Sequence, residues 1–278
     1  IIMKDKFNSK VIGLDAGLLI GKFFMDTEEL HYGYWPNDKT ATAQNFSEAQ
    51  ERHSQLIIDN IPKGVKKILD VGSGSGSLAK KIVALGYQVD CVIPSEFLAD
   101  KVQQKLDGSS KIHINKFEDL DISNNYDLIL FSESFQYVHL IKSIDKILSI
   151  LDKNGYLLIC DVFHKNVSGI SPMRGGHRLD LFENEIEKTD LVKKADIDIT
   201  LETAPTWDFL NQFLNEVAIP ISDMSHSYMK YKYPKLIRFM KWKYRNRLEK
   251  IRKVWLSNEL TGENFAKFKS YRLFLFKK

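Results

Sequence analysis

The chain has 278 residues, is 44% hydrophobic and carries a net charge of +4 at pH 7. That length supports one sizeable core with embellishments rather than a row of small domains, and so small a charge does not by itself imply nucleic-acid binding, although it can hide a local concentration. The two cysteines, Cys91 and Cys160, sit in apolar runs with no CxxC pair or Cys/His spacing, which argues against a zinc site or disulfide framework and for reduced core residues in a cytoplasmic protein.

Ile1 and Ile2 precede the first Met and read as remnants of how the chain was made; no signal-peptide pattern follows them, and no apolar run approaches the roughly 20 residues that cross a bilayer. Residues 8 to 60 read as mostly helical, interrupted by His31-Tyr32-Gly33-Tyr34-Trp35-Pro36, so a helical cap or lid is expected over 1–65. From Lys66 onward β-branched and aromatic runs alternate with helical patterns, the signature of βα units around a mainly parallel sheet over 66–278. Strands are expected at 66–71, 87–93, 111–116, 126–132, 155–161, 195–202 and 271–277. Helices are expected near 76–85, 95–106, 139–151 and 206–217, the third from the spacing of Ile141, Ile144, Leu148 and Leu151. The polar stretch 164–190, with its Gly-Gly pair, reads as a long loop near the ligand. A helical insertion is expected at 222–262. Within it, residues 228–258 hold eleven Lys or Arg against the single acid Glu249, and Ile237, Met240, Tyr244, Leu248, Ile251 and Trp255 form one apolar face.

The most informative run is Ile68 to Leu78, in which an apolar strand ending at Asp70-Val71 enters Gly72-Ser73-Gly74-Ser75-Gly76 and opens a helix. Glycines there permit positive φ and remove the Cβ atoms that would hold a ligand off the backbone, while the helix N-terminus favours negative charge. A dinucleotide fingerprint needs its third glycine one residue later, where Ser77 stands, which counts against a nicotinamide-dependent oxidoreductase.

Asp70 and the three glycines resemble the first motif of class I S-adenosylmethionine-dependent methyltransferases, an acid two residues before GxGxG. The resemblance covers about 66–163. It implies a Rossmann-like seven-stranded sheet with an antiparallel last strand, S-adenosyl-L-methionine as cofactor and S-adenosyl-L-homocysteine as product. Asp70, Gly72, Ser73, Gly74 and Gly76 would then hold the methionine part. The second strand of that class usually ends in an acid for the ribose, whereas this chain has Ile93-Pro94-Ser95. That departure, with the aromatic run at 31–35, is similar to the tocopherol, sterol and cyclopropane-fatty-acid methyltransferase subgroup, and implies that Tyr32 and Tyr34 close over the cofactor. Glu118 or Asp119, after the third strand, would take the adenine amine by the same resemblance.

Methyl transfer from a sulfonium is an in-line displacement that needs orientation first and a base only when the acceptor must lose a proton. In an open α/β sheet the reacting ligand lies beyond the strand C-termini. That selects Ser132, Glu133, Ser134, Gln136 and Tyr137 after the fourth strand, His139 just beyond, and Asp161 and His164 after the fifth. The catalytic candidates are therefore Tyr137, His139, Asp161 and His164, with no metal site indicated. The expected acceptor is a small or amphipathic molecule of unspecified reacting atom. The basic helix is expected chiefly to cover the acceptor pocket, then to touch an anionic membrane through 228–258, and least to bind RNA. A catalytically silent membrane- or RNA-binding protein is the competing reading; oligomeric state is not legible.

Overall fold

Apolar runs bounded by glycine, asparagine and lysine become seven strands: β1 (Lys67–Val71), β2 (Gln88–Val92), β3 (Ile112–His113), β4 (Tyr126–Ser132), β5 (Leu151–His164), β6 (Val192–Asp198) and β7 (Lys269–Lys277). They are seen in a computed structural model that describes residues 18–19, 21–23, 25–36, 40–106, 108, 110–122, 125–255 and 258–278. The expectations for Ile1, Ile2 and residues 8–17 lie outside the described residues. The strand order is β3-β2-β1-β4-β5-β7-β6. The first five strands pair in parallel, and β7 runs antiparallel between β5 and β6. The expected mainly parallel sheet with one antiparallel last strand is therefore the observed one. Strand order reverses between β1 and β4, and such a switch point leaves a crevice beyond the carboxyl ends of those two strands.

Successive residues of a strand face opposite ways, and both faces of this sheet are covered. Ile68, Leu130, Leu158 and Leu273 pack on one side with Ile82 of α2 (Ser77–Ala84) and Val102 of α3 (Glu96–Leu106). Leu69, Ile129, Phe131 and Phe274 pack on the other with Ile147 of α4 (Leu140–Ile150).

Of the expected N-terminal cap, one long helix, α1 (Ala43–Asp59), is described, opened by a capping box between Thr42 and Asn45 and burying Phe46, Ala49, His53 and Ile57. Residues 27–36 are not helical; they run as irregular chain across the sheet's carboxyl edge. Nor is 164–190 one loop, because α5 (Leu179–Glu187) buries Phe182 and Ile186 against the sheet. Its four-residue apolar spacing is masked by the acids between. The sixth strand ends earlier than expected, since Thr200–Thr203 turn into a short helix whose Thr203 hydroxyl donates to the Ile199 carbonyl.

The connection from β6 to β7 is almost entirely helical. Pro205–Phe213 continues through a π turn at Leu214–Ala218 into Ile219–Lys232, and Pro234–Trp255 returns from a break at Tyr233. Pro220 cannot donate to the carbonyl of Glu216 and its ring crowds that turn, which explains a widened turn there instead of a regular one. Asn215 Nδ2 donates to Asn258 Oδ1 at the base of this hairpin. The basic helix does not pack its apolar stripe on the core as expected. No described side chain from Pro205 to Glu249 is buried, and Met240, Tyr244 and Leu248 are all exposed. The chain leaves and rejoins the body at neighbouring points, joined by the Asn215–Asn258 contact, so the helix projects away from the core that its stripe would otherwise meet.

Gly33 allows the fold-back of the aromatic run. A Cβ there would lie 2.3 Å from the ring of Trp35, which is 1% exposed and packed on Phe46. Gly33→Ala is expected to cost about 1–3 kcal/mol by overpacking, measured by urea unfolding, and a loss below about 0.5 kcal/mol would show that this contact does not constrain the segment.

Candidate functional site

At the switch-point crevice the glycine run leaves β1 with φ of 77°, 55° and 80° at Gly72, Gly74 and Gly76, a left-handed region that penalises any side chain. Each glycine answers a different neighbour. A Cβ on Gly72 would lie 2.4 Å from Ser134 Cβ and one on Gly76 3.1 Å from the backbone of Val102, so these two serve internal packing. On Gly74 the nearest atom would be Leu30 Cδ1, at 3.7 Å, so this backbone faces a gap in front of the loop. Ser73 Oγ donates to the Asp70 carbonyl at 2.9 Å, which fixes the turn.

Asp70 is 1% exposed and its Oδ2 has no hydrogen-bond partner among the described residues. Burial raises its carboxyl to about 7. A buried carboxylate oxygen without a donor is costly, and a ligand donor would remove that cost. The segment from Thr27 crosses above. Ser75 Oγ donates to the Glu28 carbonyl at 2.5 Å, and Lys105 pairs with Glu28 at 2.6 Å.

Glu133, the first residue beyond β4, has φ of 52°, which is strained for a residue with a side chain. Its Oε1 accepts from the Tyr32 backbone N–H and from the Tyr271 hydroxyl, both at 2.6 Å. Burial raises its carboxyl, while His31, Tyr271 and the Tyr32 amide act the other way. Behind it, His53 Nε2 lies 2.8 Å from the Tyr271 hydroxyl. Burial holds His53 well below the usual imidazole range. A neutral His53 therefore donates through Nε2 to Tyr271, Tyr271 donates to Glu133, and His53 Nδ1 is left without a partner among the described residues. The stacked His31, whose centroid is 4.5 Å away, contacts Glu29 at 3.1 Å and the Tyr32 carbonyl at 2.8 Å. Burial disfavours its charge, but these two acceptors and Glu133 raise it above its ordinary value. Ligand atoms of His31, His53 and Glu133 lie within 4.8 Å of one another, a spacing compatible with a metal ion. Each of the three is engaged by protein through at least one atom, with His53 Nδ1 left over, and the contacts present form a hydrogen-bonded network.

On the acceptor side Asp161 is fully buried. It accepts from the Gln136 N–H at 3.0 Å, Gln136 Nε2 at 3.2 Å and its neighbour Val162 N–H at 2.7 Å, so it fixes the turn that carries Tyr137. Burial raises it to about 7. Tyr137 itself is 59% exposed, and partial desolvation at the crevice, with Glu133 and Asp161 nearby, raises its hydroxyl to about 12. Burial likewise pushes Tyr32 up, aided by Glu133, Tyr137 and Asp161. Tyr32, Glu133, Tyr137 and Asp161 thus share one neighbourhood.

The remaining candidates are placed differently. His139 caps α4, with Nδ1 accepting from the Lys142 N–H, and its own N–H donates to Glu118. Asp119 is exposed. Ile93 has its side chain in the core and its N–H on the His113 carbonyl, so only backbone could meet a ligand there; Pro94 is exposed. Ser132 is half-buried beside Cys160 in the β4–β5 register. Tyr34 donates its N–H to the Ala49 carbonyl at 2.9 Å and its ring is half-buried. His164 contacts Lys269 Nζ at 2.7 Å. Sequence reasoning missed His53 and Tyr271, because a histidine inside a helix and a tyrosine inside a strand carry no local signal of meeting across the fold.

Sheet order, switch-point crevice and glycine loop define a Rossmann-like enzyme domain of the methyltransferase type. The chain belongs to the methyltransferase domain family, which it matches over residues 41–212. It is 36% identical over 106 residues to the ribosomal RNA small subunit methyltransferase A of Campylobacter fetus, covering 37% of this chain and 38% of that one. The chain therefore spans under half the length of that curated relative. An uncharacterized methyltransferase of Bacillus cytotoxicus is 24% identical over 144 residues, covering 48% of this chain and 68% of that protein. Among solved structures the [4+2]-cyclase SpnF superposes with a TM-score of 0.69 at 17% identity, covering 97% of this chain and 94% of the other. The geranyl diphosphate C-methyltransferase of Streptomyces coelicolor, solved with Mg2+, geranyl diphosphate and S-adenosyl-L-homocysteine, gives 0.66 at 13% identity, with 97% and 96% covered. The cyclopropane synthase MmaA2 of Mycobacterium tuberculosis gives 0.66 at 16%, with 98% and 95% covered. These likenesses confirm the fold expected from residues 66–163.

Because Asp161 binds its proton more tightly when folded than in the unfolded chain, its contribution to stability is fully present below about pH 4 and is lost as pH rises through about 7. Melting curves from pH 4 to 8 should show Asp161→Asn losing this decline, up to about 4 kcal/mol for a shift of this size, whereas a decline as steep as the parent's would assign it to other groups such as Asp70.

Proposed function

We propose that this methyltransferase uses S-adenosyl-L-methionine, releases S-adenosyl-L-homocysteine, and methylates a small or amphipathic acceptor in the crevice beyond β1, β4 and β5. The observation that carries this is the cradle in front of Gly74 beside the unpartnered Asp70 Oδ2, an open backbone and a buried acceptor at one spot. The donor set fits an ammonium-bearing nucleoside: Asp70 would take the ammonium, the loop amides the carboxylate, and Leu30 and Tyr32 would exclude water from above. When bound, the cofactor supplies an electrophilic methyl on a sulfonium sulfur. The chain's own work is to align an acceptor atom opposite that sulfur. Glu133 holds Tyr32, and Asp161 holds Gln136 and hence Tyr137, whose protonated hydroxyl can donate to an acceptor oxygen or nitrogen. His139 serves as a helix cap in this reading and His164 belongs to a neighbouring pocket.

Calorimetric titration with S-adenosylmethionine and, separately, S-adenosylhomocysteine should give micromolar binding of both. Gly74→Val should abolish it while leaving cooperative unfolding in place, and undiminished affinity in that variant would refute the cradle. Since a cofactor ammonium requires Asp70 charged, affinity should rise with pH through about 7 in the parent, and this rise should vanish in Asp70→Asn.

The helical hairpin supports a peripheral contact with anionic lipid. No helix among the described residues is long and apolar enough to cross a membrane. The limbs instead expose Met224, Tyr228, Tyr231, Phe239 and Trp242 amid the eleven cations of 228–258, so apolar insertion and charge complementarity act together. Vesicles with one-third phosphatidylserine should bind the protein at least tenfold less at 0.3 M than at 0.05 M salt. Salt-insensitive binding, no binding, or preference for single-stranded RNA over these vesicles would overturn the lipid assignment.

A further inference from the structure

Beside the methyl-transfer crevice lies a cavity of about 540 Å³ whose lining includes His164, Lys165, Arg174, Gly175 and Phe268 and contains no acidic residue. Such a volume suits a small ligand. One wall is backed by Lys269, which is 1% exposed on β7. Its ammonium donates to His164 Nε2 at 2.7 Å and to the Gly175 carbonyl at 2.5 Å, both of them lining residues. No carboxylate among the described residues pairs with it, and burial alone lowers it to about 8. An ammonium has three donors, of which two are engaged here. His164, facing a cation, is itself driven toward the neutral form by burial and by Lys269, which makes Nε2 the acceptor.

A buried cation without a counter-ion is costly, and an anion sharing its site would offset that cost. On the exposed side the cavity adds the Arg174 guanidinium and, at its rim, the apolar Val167 and Ile170, both exposed. The cavity also abuts the reacting region. A Cβ on Gly175 would lie 2.4 Å from Gln136 Oε1, and Gln136 is the residue that Asp161 fixes.

We infer that this cavity binds an oxyanion, phosphate or carboxylate, on an amphipathic acceptor, with Lys269 and Arg174 neutralising the charge and the 167–170 rim meeting the apolar part. This deepens the proposed function and rests on it for the word acceptor; the oxyanion site itself does not. The cationic cavity places the charged end of the acceptor beyond β5, so that its reacting atom reaches back toward Tyr137.

The test uses octyl phosphate, octanol and octylammonium below their micelle concentrations, titrated calorimetrically into the full chain, with S-adenosylmethionine titrated in parallel. Octyl phosphate should bind at least tenfold more tightly than octanol, octylammonium should not bind, and octyl phosphate affinity should fall as pH rises through about 8. Lys269→Met should lose at least tenfold for octyl phosphate with S-adenosylmethionine affinity unchanged. If that variant does not fold, Arg174→Gln, an exposed change, should lose several-fold. Equal binding of octyl phosphate and octanol, or unaltered octyl phosphate affinity in the folded variants, overturns the oxyanion site even when S-adenosylmethionine binds. Loss of S-adenosylmethionine binding alone, with octyl phosphate retained, would instead count against the proposed function and leave the cavity assignment standing.

Discussion

The carboxylate of Glu133 ties together three parts of the chain that are far apart in sequence. One oxygen receives the backbone N–H of Tyr32 from the N-terminal segment and the hydroxyl of Tyr271 from the last strand, while the residue itself caps β4 in a strained conformation. Two such bonds to a buried charge-capable group are worth more than ordinary neutral ones. They hold the segment that carries Tyr32 against the ends of β4 and β7. Removing the acid would leave Tyr271 Oη and the Tyr32 amide both without an acceptor, so the strain at Glu133 persists because its surroundings over-determine it.

The site also shows how burial divides the labour of titratable groups. Asp70 and Asp161 are both lifted toward neutrality by burial, yet one has an oxygen free of partners and the other is saturated. The second holds a turn, and the first keeps an oxygen that no described residue meets. His53 and His31 stack on each other and are pushed in opposite directions: burial drives His53 well down, while on His31 the hydrogen bond and charge of Glu29 outweigh burial and raise it.

The sheet and the glycine turn were legible in residues 66–163 because their signals are local: continuous apolar runs and glycines that must turn. The family match over 41–212 agrees with that reading. What was not legible depended on distance. The apolar stripe of the basic helix, Ile237 to Leu248, has the spacing of a core-facing helix, and nothing in that spacing tells whether a core lies opposite; here Met240, Tyr244 and Leu248 stay exposed. The α5 helix was lost among its acids. Lys269 lies before the last strand expected at 271–277 and carried no signal of its own; only the observed strand start and the packing of the 164–178 loop turn it into a buried cation.

The hairpin has a thermodynamic consequence of its own. Its first limb is anchored, since Trp207 packs on Tyr32 and Phe265 and Phe209 on Phe46, but from Asn215 to Glu249 no described side chain is buried, so that part contributes little to the cooperative unit formed by the sheet and its flanking layers. Regions with few buried apolar contacts open at free energies far below that of global unfolding. The hairpin is therefore a separate foldon attached at Asn215 and Asn258, able to fray, re-form or reorient while β6, β7 and the crevice between β1 and β4 stay closed. Substitutions between Asn215 and Glu249 therefore leave the stability of the sheet and of the glycine loop largely unchanged.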